Sequence, residues 1–128
     1  MVIIQILHRS LLGYVLSIYI KYYLKKYLFK IKIVSGKHLK YKYRVHTYFI
    51  IKSSFLKSEQ VDELLKEIRM RYVQSHIILI GSHINYEEIY KNHYRVFGVI
   101  DTTTNQSFKF IRDQIHFYLD ELYGPKHL

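Results

Sequence analysis

Cysteine, tryptophan and alanine are all absent from this 128-residue chain, and proline occurs once. Without cysteine there is no disulfide, no thiolate metal centre and no cysteine nucleophile. The five glycines stand far apart, so no glycine-rich loop is available to wrap a phosphate, and no His-Glu-x-x-His pair is present for zinc. Negative charge is missing from the whole first part. From Met1 to Lys57 there are 12 Lys and Arg residues and no Asp or Glu. A solvated lysine face normally carries some glutamate to balance it, so this stretch points to a polyanionic partner.

What the chain does hold is Ile, Lys and Tyr, with 14 tyrosines and a formal net charge of +10. These residues, with Asn and Phe, have AT-rich codons, whereas Ala and Gly have GC-rich ones. The composition suits an AT-rich genome: a mitochondrion, a plastid, a reduced parasite or a virus. The length allows one domain, or one small domain with an appendage. From Ser58 onward 8 basic residues stand against 10 acidic ones. The charge therefore predicts a basic N-terminal extension over residues 1–42 attached to a nearly neutral body over residues 43–128.

Within the extension, the apolar run from Leu11 to Ile20 stops at Lys21, about half of the roughly 20 residues a spanning helix needs. Leu16, Tyr19, Ile20, Tyr23, Leu24, Tyr27 and Leu28 recur at the spacing of an amphipathic helix. Such a helix can lie on a membrane surface. It can also lie on RNA, with lysines on phosphates and tyrosines on unpaired bases, or pack on the body or a neighbouring protein. The residues leave all three open, the membrane being the least favoured. The segment lacks the Arg- and Ser-rich character of a cleaved targeting sequence. Candidate phosphate contacts are Lys21, Lys25, Lys26, Lys30, Lys32, Lys37, Lys40, Lys42 and Arg44.

In the body, Tyr43, Val45, Thr47, Phe49 and Ile51 alternate with Arg44, His46, Tyr48 and Ile50, which predicts a strand. Ser58 is placed to cap a helix with Glu59, Asp62 and Glu63 near its positive end, and Val61, Leu64, Leu65, Ile68 and Tyr72 form its buried stripe. His76 to Ile80, closed by Gly81, reads as a buried strand, and Tyr94 to Ile100 as another. A final helix follows Thr104-Asn105, with Phe108, Ile111, Ile115, Tyr118, Leu119 and Leu122 on one face, and Gly124-Pro125 ends it. This order of elements predicts an α+β sandwich of the ferredoxin-like kind.

No arrangement argues for catalysis. His76, His83 and His93, with Glu87 and Glu88, match no metal-ligand spacing. Asp113, Asp120 and Glu121 read as the solvated face of a helix, and nothing signals a Ser-His-Asp site. A non-enzyme without cofactor or small-molecule substrate is expected.

The stretch Lys91-Asn92-His93-Tyr94-Arg95-Val96-Phe97-Gly98-Val99-Ile100-Asp101 resembles the signature strand of the universal small-subunit ribosomal protein ten. That family typically carries Arg-Thr-His-Lys-Arg-Leu-Ile-Asp-Ile there, followed by a valine and an aspartate. Ile78 to Asn85 is similar to the family's strand and Ser-Pro-His-Val turn, and Ile51-Lys52-Ser53 with the Ser58 helix resembles its first strand and helix entry. The chain departs from the family in lacking its proline-rich stretch and final strand, and in having Tyr94 and Gly98 for its Lys and Asp. The resemblance implies a shortened ferredoxin-like domain in the head of the small ribosomal subunit. It implies contacts with ribosomal RNA and neighbouring head proteins through His83, Asn85, Lys91, His93 and Arg95.

The expected function is thus a structural, RNA-bound component of the small subunit of an organellar ribosome. A mitochondrial matrix ribosome is the first choice of compartment, and a plastid or other AT-rich compartment the next. The alternatives are a membrane-associated accessory subunit of an organellar respiratory complex and a viral DNA-binding protein.

Overall fold

The computed structural model describes residues 2–25, 30–40, 42 and 44–124. Lys26, Tyr27, Leu28, Tyr43 and Pro125 lie outside them. In chain order the elements are β1 (Val2–Leu7), α1 (Leu11–Leu24), β2 (Ile31–Gly36), β3 (Thr47–Ile51), α2 (Ser58–Arg71), β4 (His76–Gly81), α3 (Tyr86–Lys91), β5 (Gly98–Asp101) and α4 (Phe108–Tyr123).

The five strands form one sheet in the order β2-β1-β3-β4-β5, and every neighbouring pair is parallel. The fold is therefore α/β, which corrects the ferredoxin-like expectation: His76–Gly81 and Gly98–Asp101 are parallel neighbours. Parallel strands covered on both faces read as continuous apolar runs. Ile77-Ile78-Leu79-Ile80 is such a run, and β3 is buried at all five positions.

Alternate strand residues feed two cores. Ile4, Ile6, Phe49, Ile51, Ile78, Ile80 and Ile100 meet α1 and α4 on one face. Leu7, Tyr48, Ile50, Ile77 and Leu79 meet α2 on the other, joined by Tyr94. Each fully buried aliphatic side chain contributes about 1.5–3 kcal/mol. β1 lies between β2 and β3, so residues 1–42 supply two strands and a helix of the shared sheet. The division into extension and body at residue 42 has no counterpart in the packing. The apolar face of α1 settles on the sheet through Leu16, Ile20, Tyr23 and Leu24. Its outer side leaves Leu11, Tyr14, Ile18 and Tyr22 exposed.

The stripes of α2 and α4 fall where the spacing put them, on Val61, Leu65 and Ile68 and on Ile111, Ile115 and Leu119. Ser58 is the first helical residue rather than the cap; the Lys57 N–H instead donates to Gln60 Oε1 at 2.7 Å. The expected strand at 94–100 shrinks to four residues because His93 and Arg95 have φ of 57° and 53°, outside the β region. Gly98 leaves room for no side chain: a Cβ there would lie 2.2 Å from the Tyr118 ring.

Residues 37–46 cross from β2 to β3 over β1 with no helix among their described residues. Gln5, buried in β1, holds this strap: its Nε2 donates to His38 O at 2.8 Å and its Oε1 accepts from Lys40 N at 3.3 Å. Leu39 packs against the α2-side core.

Candidate polyanion groove and carboxyl-end crevice

Pinning the strap creates a groove beside the edge strand. Lys32, Ile33, Val34 and Ser35 from β2 face Leu39, Lys40 and Lys42 from the strap across about 610 Å³. Three of the nine lysine and arginine candidates from the first part of the chain thus line one surface, with no carboxylate among its described lining residues. Lys37 follows β2 at the carboxyl ends of the strands, in a cleft with Arg9 and Phe55. Lys21 and Lys25 are exposed at the end of α1, and Lys30 is exposed just before β2. Arg44 lies at the amino ends of the strands, in a hollow shared with His46, Arg71 and His76. Lys26 lies outside the described residues.

The candidates carried by the ribosomal resemblance sit elsewhere. His83, Asn85, Lys91, His93 and Arg95 lie on or beside α3 in the connection from the carboxyl end of β4 to the amino end of β5. Four strand spacings separate β2 from β5, about 19 Å, so the lysine groove and the residues around α3 lie at opposite edges of the sheet. Asn85 caps α3, its Oδ1 accepting from Glu88 N at 3.1 Å. The His83 N–H donates to Thr103 Oγ1 at 2.9 Å. Arg95 forms no ion pair with Asp101 or Asp113. Tyr86 and Thr103 hydroxyls hold Asp101, pulling its carboxyl below the usual range and pushing the Tyr86 hydroxyl up to about 12. Asp113 lies 3.4 Å from Arg112.

Arg69, passed over in the sequence, organises this end of the molecule. Its guanidinium donates to the carbonyls of Tyr72, Val73 and Ser75 after α2, and to those of Tyr94 and Arg95 before β5. It fixes the loop in which His93 and Arg95 take left-handed backbone. Tyr19 and Tyr23, which would stack on bases if α1 lay on RNA, are used internally. Both stack on His116 of α4, Tyr19 hydrogen-bonds its Nε2, and Tyr23 donates to Asp120 at 2.9 Å.

At the carboxyl ends of β1 and β2, beneath the first turn of α1, buried His8 and Ser17 join exposed Ser35 in a polar relay. His8 Nδ1 accepts from Ser10 N at 3.4 Å, and Nε2 lies 2.7 Å from Ser35 Oγ. Ser35 Oγ lies 3.1 Å from Ser17 Oγ, which donates to Gly13 O at 2.7 Å. An Nδ1 that accepts leaves the proton on Nε2, so His8 donates to Ser35 and each hydroxyl passes its own hydrogen onward. Burial lowers the His8 pKa, favouring this neutral form. In this form His8 Nε2 donates to Ser35 and does not accept its proton. His76 and His83 mark opposite ends of β4, and no group of three metal-ligating side chains occurs among the described residues.

No helix among the described residues is long and apolar enough to cross a membrane. In comparisons with known proteins, the chain matches no family model and no curated sequence.

Proposed function

We propose that the protein is a non-catalytic component of a ribonucleoprotein particle, held to RNA by phosphate contacts along the groove of Lys32, Lys40 and Lys42. The carrying observation is the convergence of these three lysines on one surface, in a stretch of 57 residues with no acid. Binding of this kind rests on backbone charge, with little base readout. The exposed apolar side of α1, including Leu11, Val15, Ile18 and Tyr22, supports a protein neighbour in the same particle.

The small subunit of an organellar ribosome, in the mitochondrial matrix, is the assembly this reading expects. Its support is the AT-rich composition and the charge. The parallel pairing of β4 with β5 counts against the ribosomal protein ten family, whose resemblance lies on those strands. Sucrose-gradient sedimentation of lysed organelles tests the assembly. Co-migration with the small subunit that survives detergent and collapses on RNase treatment is expected. Migration with a detergent-sensitive membrane complex, indifferent to RNase, would support the respiratory-subunit alternative.

The strand order favours a second reading. β2-β1-β3-β4-β5 is the doubly wound order of the flavodoxin type, used by cofactor-binding and by signalling domains alike. A phosphoryl-accepting site at its switch point would need carboxylates for Mg²⁺ and for the acyl phosphate. The ends of β1 and β3 carry His8, Arg9, Lys52 and Ser53 instead. This second reading is therefore a sensing or docking domain that accepts no phosphoryl group at that point. Sedimentation as a small free species, unchanged by RNase, would favour it over the RNA-bound reading.

A further inference from the structure

In doubly wound sheets, ligands bind outside the carboxyl ends of the strands at the point where the strand order reverses. Here that point lies between β1 and β3, and the loops after β1, β2 and β3 converge on it. Each sends one side chain, Arg9, Lys37 and Phe55, to a cleft of about 370 Å³.

Arg9 is underused for a guanidinium so placed. Its Nη1 makes one long bond, 3.4 Å, to Phe55 O. Its Nε is the one buried side-chain nitrogen or oxygen among the described residues that has no hydrogen-bond partner. A guanidinium offers five N–H groups in a planar fork that fits an oxyanion with two bonds at once. Leaving a buried donor unmet is costly, and native structures seldom do so without a reason. No ion pair to Arg9 occurs among the described residues.

The surroundings narrow the ligand. Lys37 brings a second positive charge to the mouth, and the Phe55 ring, 69% exposed, offers a flat apolar face beside it. Glu63 and Glu67 line an adjoining cleft that Arg9 and Lys37 also border and Phe55 does not. Their charge repels an anion from that side, so the negative group belongs at the Lys37–Phe55 mouth and a long polyphosphate running inward is disfavoured.

We propose that Arg9, Lys37 and Phe55 form a site for a phosphomonoester carried on a nucleoside. Arg9 turns its Nε and Nη edge from Phe55 O onto the phosphate, Lys37 adds the second charge, and the base stacks on Phe55. Bidentate arginine contacts and base–aromatic stacking are the two interactions that recognise a nucleotide end. The ligand comes either from a free nucleoside monophosphate or from the 5′-phosphorylated end of an RNA strand. The site is separate from the lysine groove and stands whether or not that groove binds RNA.

The test uses the full chain labelled with nitrogen-15 and follows the Arg9 Nε–H resonance. The probes are AMP, adenosine, and one short oligoribonucleotide with either a 5′-phosphate or a 5′-hydroxyl. AMP is expected to move the Arg9 signal and to bind at least about tenfold tighter than adenosine, a difference of about 1.4 kcal/mol. Arg9→Gln and the surface change Lys37→Gln are each expected to remove that preference. Lys32→Gln with Lys40→Gln is expected to keep it, separating this site from the groove. A 5′-phosphate preference shown by the oligonucleotide but not by AMP assigns the site to RNA ends. Equal recognition of AMP assigns it to a free nucleotide. An Arg9 signal unmoved by both AMP and the phosphorylated strand overturns the proposal, as does an unchanged phosphate preference in the folded Lys37→Gln and Arg9→Gln variants.

Discussion

His8 Nε2 lies 2.7 Å from Ser35 Oγ, tying the end of β1 to the end of β2 beneath the first turn of α1. The bond sits in a relay whose proton order requires a neutral imidazole. A second proton on Nδ1 would point at the Ser10 N–H and break the relay at its start.

This fixes the sign of a pH effect. Burial lowers the folded-state pKa of His8 below its ordinary 6.5, so the unfolded chain takes up a proton that the folded chain refuses. Stability is full above about 6.5 and falls as the pH drops below it. His76 contributes in the same direction, its pKa lowered by burial and by the nearby Arg69 and His46. Urea midpoints are expected to be lower at pH 5.5 than at pH 7.5, with the dependence weakened in His8→Gln. An equal or higher midpoint at pH 5.5 would contradict the neutral relay.

Gly13 is expected to resist replacement. In an open helix, Gly→Ala stabilises by about 1 kcal/mol. At Gly13 a Cβ would stand 2.1 Å from His8 Cγ, and the relay pins that ring. Overpacking of this kind costs about 1–3 kcal/mol, so the clash outweighs the propensity gain. Gly13→Ala is expected to lower the urea midpoint, and a raised midpoint would show that His8 can move aside.

Arg69 is expected to act through structure alone. Arg69→Met leaves five carbonyls without their shared donor and is expected to cost about 3 kcal/mol. Arg69→Lys recovers little of this, because one ammonium cannot fan across carbonyls on two loops. A lysine variant within about 0.5 kcal/mol of the parent, an ordinary surface effect, would show the hub to be dispensable.

Gln5 links stability to the proposed binding surface. Gln5→Leu keeps the bulk but removes both bonds that hold the strap, each contributing about 1 kcal/mol. Hydrogen exchange is expected to quicken at His38 to Lys40, and RNA affinity to fall because Lys40 loses its fixed position opposite Lys32. Unchanged exchange in that segment would mean that Leu39 anchors the strap without Gln5.

The helices were legible because their signals are local. The stripe of α2, the Ile111–Ile115–Leu119 face and the Gly124 stop follow from spacing and end residues alone. α3 carried a readable start as well, in Asn85 followed by Glu87 and Glu88, but its six residues are too few for a periodic stripe. The strand at Val2–Leu7 was hidden by charge: residues 1–42 looked like an arm because acid was lacking, although Val-Ile-Ile-Gln-Ile-Leu is a strand-like run. Parallel pairing was the larger miss. A continuous run such as Ile77–Ile80 is what a strand buried on both faces looks like, and the likeness to a known signature around His93 drew attention to an antiparallel fold. The positive φ of His93 and Arg95 depends on Arg69 gathering distant carbonyls, which no local pattern reveals. The lysine groove likewise depends on long-range contacts, Gln5 and the core-packed Leu39 holding the strap beside β2.

The most direct test of the central claim is the affinity for a single-stranded oligoribonucleotide across a series of salt concentrations. The parent is to be compared with a variant carrying Lys32→Gln, Lys40→Gln and Lys42→Gln. Each lost phosphate contact should lower the magnitude of the slope of log K against log salt by about 0.7, or about 2 for all three, with weaker binding at every salt concentration. A triple variant that binds with the parent's affinity and slope would contradict the account.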